Sequence, residues 1–279
     1  MQMKEEAFSP VAPMTNREEY ADEGDLQWLH PPKNVHDAGQ WNVYWTNQIS
    51  RNSWLFLSDM FINELWLAKT MINFGFQTVL CAGNGISLEP HALANAGFQV
   101  TAVDLSVEAT KFVSNLRPGS KHLRHFFCGP MGRPLRQRGE ALGFFVRYLR
   151  LLTGHLRDQV LARRIRRDGG KVEFLTGDLL DPHVCPGPFD VVIERRTVQL
   201  FAESERDGIL DRLTSRLRRN GIFLSHCHMG WWRPGMPREH LAESWFREHG
   251  FTVSYGGSED VSRLKHDSGR IALLSVSSG

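Results

Sequence analysis

Cysteine is scarce in this chain. Its four residues, Cys81, Cys128, Cys185 and Cys227, stand far apart among 279 positions, with no Cys-x-x-Cys pair. That spacing argues against a disulfide framework and for a reducing compartment, so the expected location is cytoplasmic. Long apolar runs are missing as well. The most hydrophobic window, 54–76, is broken by Asp59, Glu64 and Lys69, so neither a membrane span nor a membrane partner is expected. The first ten residues hold Lys4, Glu5 and Glu6 around no apolar core, unlike a secretory signal. No internal repeat and no catalytic triad stand out. The net charge is only +2, and 41% hydrophobic with 23% charged residues is the balance of a soluble globular protein long enough to bury a sizeable core.

What is present centres on one stretch. A short apolar run, Thr78-Val79-Leu80-Cys81-Ala82, ends in Gly83-Asn84-Gly85. A helical segment, 87–95, follows, and a second apolar run, 98–103, ends on Asp104. Glycines at such a turn permit a tight strand-to-helix bend and close approach of a bound molecule to the backbone. Asp104 follows Gly85 at close to the offset of about 20 residues at which a strand-end carboxylate meets a ribose. The pattern predicts the nucleotide-cofactor edge of a parallel α/β sheet. A dinucleotide site wants a third glycine where Leu88 stands, because a pyrophosphate must reach the helix start there. S-adenosylmethionine (SAM) carries no phosphate and needs only the close approach.

Further landmarks follow in order. A third strand, 171–175, leads into Thr176-Gly177-Asp178-Leu179, and a fourth comprises Phe189-Asp190-Val191-Val192-Ile193-Glu194. In this order and spacing the chain resembles the class I, Rossmann-like, SAM-dependent methyltransferase superfamily over roughly 77–276, less an insertion. The resemblance implies an α/β three-layer sandwich around a mostly parallel seven-stranded sheet whose last strand returns antiparallel. It implies SAM as cofactor, held by Cys81, Ala82, Gly83, Asn84, Gly85, Asp104, Leu105, Asp178, Leu179 and Glu194, with Asp178 and the Leu179 backbone at the adenine. Glu194 and His226 become candidates for catalysis. Trp45, Arg196 and Trp231 become candidates for the acceptor site. Two positions depart from the pattern: Cys81 stands where an acid is common, and Ser87 where a further glycine is common. Cys81 cannot anchor the methionine ammonium as a carboxylate would.

Around this frame, residues 1–40 read as a loosely ordered acidic arm and 41–279 as the methyltransferase domain. Within that domain, 41–76 forms a helical cap in which Trp41, Tyr44 and Trp45 are lid candidates or ordinary core. Residues 117–171 form a largely helical insertion with fourteen Lys/Arg against three acids. A run so basic reads as an RNA-contacting arm, a grip on an acidic substrate, a lid, or a solvated face. It lacks the aromatic interleaving of a base-stacking platform, so a small-molecule acceptor is preferred over RNA. A helix over 203–219 leads to a fifth strand, 222–225. A helix from Pro237 precedes two final strands, 251–255 and 271–276. His226 and His228 make a pair without a third ligand, and no metal is expected. Methyl transfer needs an acceptor held in line with the methyl carbon, and a base only where that acceptor must lose a proton. The expected function is SAM-dependent transfer of a methyl group to an unidentified acceptor. The alternatives are an RNA methyltransferase using the insertion, a non-catalytic SAM-binding or interaction protein, and a dehydrogenase. Nothing in the residues indicates an oligomeric state.

Overall fold

The computed structural model describes residues 31–50, 71–115 save 73 and 88, 169–195, 197–226, 240–255 and 271–274. The basic insertion, apart from 169–171, lies outside the described residues, as do most of the acidic arm, cap residues 51–70, Arg196 and Trp231. In chain order the elements are α1 (Ala38–Ser50), β1 (Thr78–Ala82), α2 (Glu89–Asn95), β2 (Gln99–Asp104), α3 (Val107–Asn115), β3 (Lys171–Thr176), β4 (Phe189–Arg195), a 3₁₀ turn (Val198–Leu200), α4 (Glu203–Ser215), β5 (Leu217–His226), α5 (His240–Glu248), β6 (Thr252–Tyr255) and β7 (Ile271–Leu274).

The strands form one seven-stranded sheet in the order β3-β2-β1-β4-β5-β7-β6. Strand residues alternate between two cores. Val79, Cys81, Val100, Ala102, Val191 and Ile193 pack on one face with Leu93 of α2. Leu80, Ala82, Val103, Val192 and Phe223 pack on the other with Ile209 and Leu213 of α4 and Phe246 of α5. Near-continuous apolar strands are what a sheet covered on both sides requires, and the three-layer α/β expectation is met. Strand order reverses between β1 and β4, which opens a crevice at their carboxyl ends.

Two expectations need correction. The last strand does not return antiparallel: β7 runs parallel to β5, with Ile222 opposite Ile271, and parallel to β6, with Thr252 opposite Ile271. A parallel pair needs a connection of about a dozen residues or more, and 256–270 supplies one where a hairpin would need far fewer. The helix expected over 203–219 stops at Ser215, and β5 begins already at Leu217. Leu217 pairs with Phe189, and the register then shifts so that Ile222 faces Val191.

One buried carboxylate joins the amino ends of the central strands. Asp190 Oδ2 accepts the N–H groups of Gln77 (2.8 Å) and Thr78 (2.9 Å) and the Thr78 hydroxyl (3.0 Å), while Oδ1 takes Arg218 Nη1 at 2.7 Å. Its removal strands two backbone donors. Asp190→Ala is expected to lower stability by about 2–3 kcal/mol, read as a reduced urea midpoint. An unchanged midpoint contradicts this role.

Candidate cofactor site at the carboxyl edge of the sheet

The turn after β1 is shaped by its two glycines, Gly83 at φ +62° and Gly85 at φ +52°, a region that L side chains rarely occupy. Both hollows are filled by the chain itself. A Cβ on Gly83 would stand 2.1 Å from Thr197 Oγ1, and one on Gly85 would stand 2.6 Å from Cζ2 of Trp45. The close approach that these glycines allow is therefore made by Thr197 and Trp45.

Asp104 ends β2 with a buried side chain, 9% exposed. Its Oδ2 accepts the Gly85 N–H at 2.7 Å and its Oδ1 the Ser106 N–H at 2.8 Å. Burial pushes its carboxyl up to about 6, against the opposing pull of those two N–H groups. Each carboxylate oxygen keeps a further lone pair beyond these bonds. Ser106 caps α3 as the sequence suggests, with its Oγ accepting the Ala109 N–H at 3.2 Å. Ser87, in place of a glycine, caps α2 by accepting the Glu89 N–H at 3.1 Å.

On the neighbouring strand, Thr176 stands opposite Asp104, and the Gly177 N–H reaches the Asp104 carbonyl at 3.0 Å. Asp178 follows at once, exposed, its Oδ1 holding the Leu180 N–H at 2.7 Å in an Asx turn. Arginines of α4 and just beyond it brace this loop: Arg212 donates to the Leu180 carbonyl, and the buried Arg216 to those of Asp181 and Cys185. Asp104 and Asp178 thus sit on adjacent strand ends at one edge, beside the Gly83–Gly85 turn. Leu105 continues from Asp104, and Leu179 packs against the second core.

Glu194 is fully buried at the end of β4. Its Oε2 takes the N–H groups of Thr197 (3.1 Å) and Val198 (3.3 Å), and the Ser225 hydroxyl donates to its Oε1. Thr197 in turn donates to the Ala82 carbonyl at 3.2 Å. A carboxylate enclosed in this way holds the loop that fills the Gly83 hollow, and it does not stand open to an acceptor. Cys81 is 2% exposed within the first core, on the Val79 side of β1. His226 pairs with Arg195 at the end of β5.

Helix α1 lies against this edge. Asn42 Oδ1 accepts the Ser106 hydroxyl at 2.7 Å, and His36 Nε2 meets Glu205 Oε1 at 2.8 Å. Trp41 and Trp45 stack with ring centres 6.3 Å apart, and Tyr44 meets Trp45 edge-on at 4.9 Å. Sequence reasoning missed Asn42, Thr197 and Ser225. Thr197, following Glu194 by three, carried the only local hint.

No family model and no curated protein matches the chain. Among solved structures, a magnesium protoporphyrin IX methyltransferase from Synechocystis with bound SAM aligns at 16% identity over 67% of this chain and 64% of its own, with a TM-score of 0.32. A putative SAM-dependent methyltransferase from Methanococcus maripaludis aligns at 12% identity over 78% and 75%, with a TM-score of 0.35. An rRNA methyltransferase from Streptomyces viridochromogenes aligns at 17% identity over 53% and 64%, with a TM-score of 0.31. The chain spans less than two thirds of the length of the first and third of these.

Gly83→Ala forces a Cβ into Thr197 and is expected to cost about 2 kcal/mol or more, measured by urea unfolding. A midpoint equal to wild type would mean that Thr197 does not fill this hollow.

Proposed function

We propose that the chain is a SAM-dependent methyltransferase whose cofactor lies across the carboxyl ends of β1, β2 and β3. The observation that carries this reading is Asp104. It is a buried carboxylate at a strand end, fixed by the turn's own N–H and by Ser106, with acceptor capacity left for the two hydroxyls of a ribose. Asp178 offers its second oxygen to the adenine amino group, with the Leu179 backbone beside it. The chemistry of these groups fits an adenosyl ligand without phosphate: two carboxylates stand at neighbouring strand ends on one edge, and Ser87 caps a helix of only seven residues after the turn.

When bound, SAM supplies a methyl group on a sulfonium. The chain's own work is positional. Glu194, through Thr197 and Val198, sets the loop at the switch point between β1 and β4, and α1 covers the edge. With Cys81 in the core, contact to the methionine ammonium falls to backbone carbonyls of the turn. Of the catalytic candidates, Glu194 is enclosed by the protein's own donors, which leaves His226 for any proton transfer, and Arg196 and Trp231 remain candidates for the acceptor side. The acceptor is a small molecule in this reading. Cys185, a buried free thiol, is compatible with a cytoplasmic protein. Among the described residues no helix is long and apolar enough to cross a membrane.

Asp104 gives opposite pH dependences to folding and binding. Its folded carboxyl is pushed up to about 6 from 3.8, so the stability it contributes is full below about 4 and is lost as pH rises through about 6. Ribose hydroxyls donate to the ionised form, so affinity should rise over the same interval. Calorimetry with S-adenosylhomocysteine (SAH) should show binding that strengthens from pH 5 to 7. Asp104→Asn should flatten the profile and weaken binding at pH 7 by about a hundredfold. Methyl-labelled SAM in cell extract should mark the metabolite fraction; label in RNA would instead assign the insertion to RNA. Absence of any SAM or SAH binding overturns the reading.

A further inference from the structure

Two buried indole N–H groups among the described residues lack a partner, those of Trp45 and Trp245, and Trp45 is the one seated on the turn. Its indole Nε1–H is buried and finds no hydrogen-bond acceptor among the described residues, whereas the neighbouring Trp41 Nε1–H donates to the Val35 carbonyl at 2.9 Å. A buried donor left unpaired forfeits its hydration with nothing in return. The benzo edge of the ring lies on Gly85, since a Cβ there would come within 2.6 Å of Cζ2 and 2.8 Å of Cη2, and Cε2, the carbon bonded to Nε1, follows at 3.5 Å. The backbone N–H of that same glycine is bound by Asp104 Oδ2 at 2.7 Å. One residue of the turn is thus flanked by a carboxylate that only accepts and an indole that only donates. The helix that carries Trp45 is tied to this carboxylate's own loop, because Asn42 accepts the hydroxyl of Ser106, whose N–H binds Asp104 Oδ1.

Such a pair selects among ligand groups. A ligand carboxylate would meet the charge of Asp104, and an ammonium has no lone pair for the indole. A hydroxyl both donates and accepts, and so completes both partners at once. We propose that the Trp45 indole N–H donates to a ribose hydroxyl of the bound adenosyl cofactor, and that this hydroxyl in turn donates to Asp104. The inference rests on the cofactor reading above and adds a cofactor-contacting residue on the cap, in place of the acceptor-side role that the sequence suggests for Trp45.

The test measures SAH and its 2′-deoxy and 3′-deoxy analogues by calorimetry against wild type, Trp45→Phe, and a variant carrying 3-benzothienylalanine at position 45. That last residue keeps the bicyclic shape on Gly85 and replaces N–H by sulfur, so the fold is preserved should phenylalanine disturb it. Both variants should bind SAH about tenfold more weakly than wild type, the size of one hydrogen bond. They should bind one deoxy analogue as well as wild type does, while keeping the tenfold deficit on the other. Equal deficits on all three ligands, or no deficit on SAH in the benzothienyl variant, overturn the assignment of Trp45. Wild type that binds none of the three overturns the cofactor reading itself and the inference with it.

Discussion

The hydrogen bond from the Gly85 N–H to Asp104 Oδ2, 2.7 Å long and buried, is the link on which the site's architecture depends. It ties the turn after β1 to the end of β2, two segments that sheet pairing alone leaves free once the strands stop at Ala82 and Asp104. The Asn84 N–H, reaching the Val103 carbonyl at 3.0 Å, carries the same connection one residue earlier. Both positive-φ positions are glycines, free to adopt many conformations, and these bonds hold the turn in one of them. With the bonds in place, the backbone of the turn is held directly against a carboxylate. The burial that makes Asp104 costly to ionise is the same burial that makes each hydrogen bond to it strong.

Four carboxylates along the sheet divide the labour by burial and position. Asp190 lies at the amino edge and Glu194 deep at the carboxyl edge, and both spend their oxygens on the protein's own donors. Asp104 is half committed, one bond to each oxygen. Asp178 is exposed and holds a single N–H. The gradient from enclosed to open follows the path from β4 across to β3. Groups with unspent capacity therefore collect over β2 and β3, where an adenosyl group would sit, while the β4 end is stiffened by a closed network of Glu194, Thr197 and Ser225.

Much of this frame was legible in the sequence because it is local. Strand period, the Gly-x-Gly turn and the acid closing β2 are written within a few residues of one another, and Ser106 announced its cap. Cys81 carries a local signal too, since alternation along Val79-Leu80-Cys81 places it on the Val79 face, where it packs. The direction of β7 came from resemblance and not from residues, and the length of the 256–270 connection argued the other way. What could not be read is contact across distance in sequence. Nothing near Gly85 says that Trp45 fills its hollow, nothing near Gly83 names Thr197, and Glu194 is catalytic or structural according to whether Ser225 lies beside it.

The cap's attachments are unequal. At the start of α1 the His36–Glu205 contact is exposed on both sides, and such pairs contribute about 0–1 kcal/mol. Further along, Asn42 is bonded to Ser106, and the Trp45 ring is seated on Gly85. The helix is therefore held at its middle, directly over the turn, while its leading end is lightly fastened to α4. The residue seated on Gly85 is the one whose buried donor the proposed hydroxyl would satisfy.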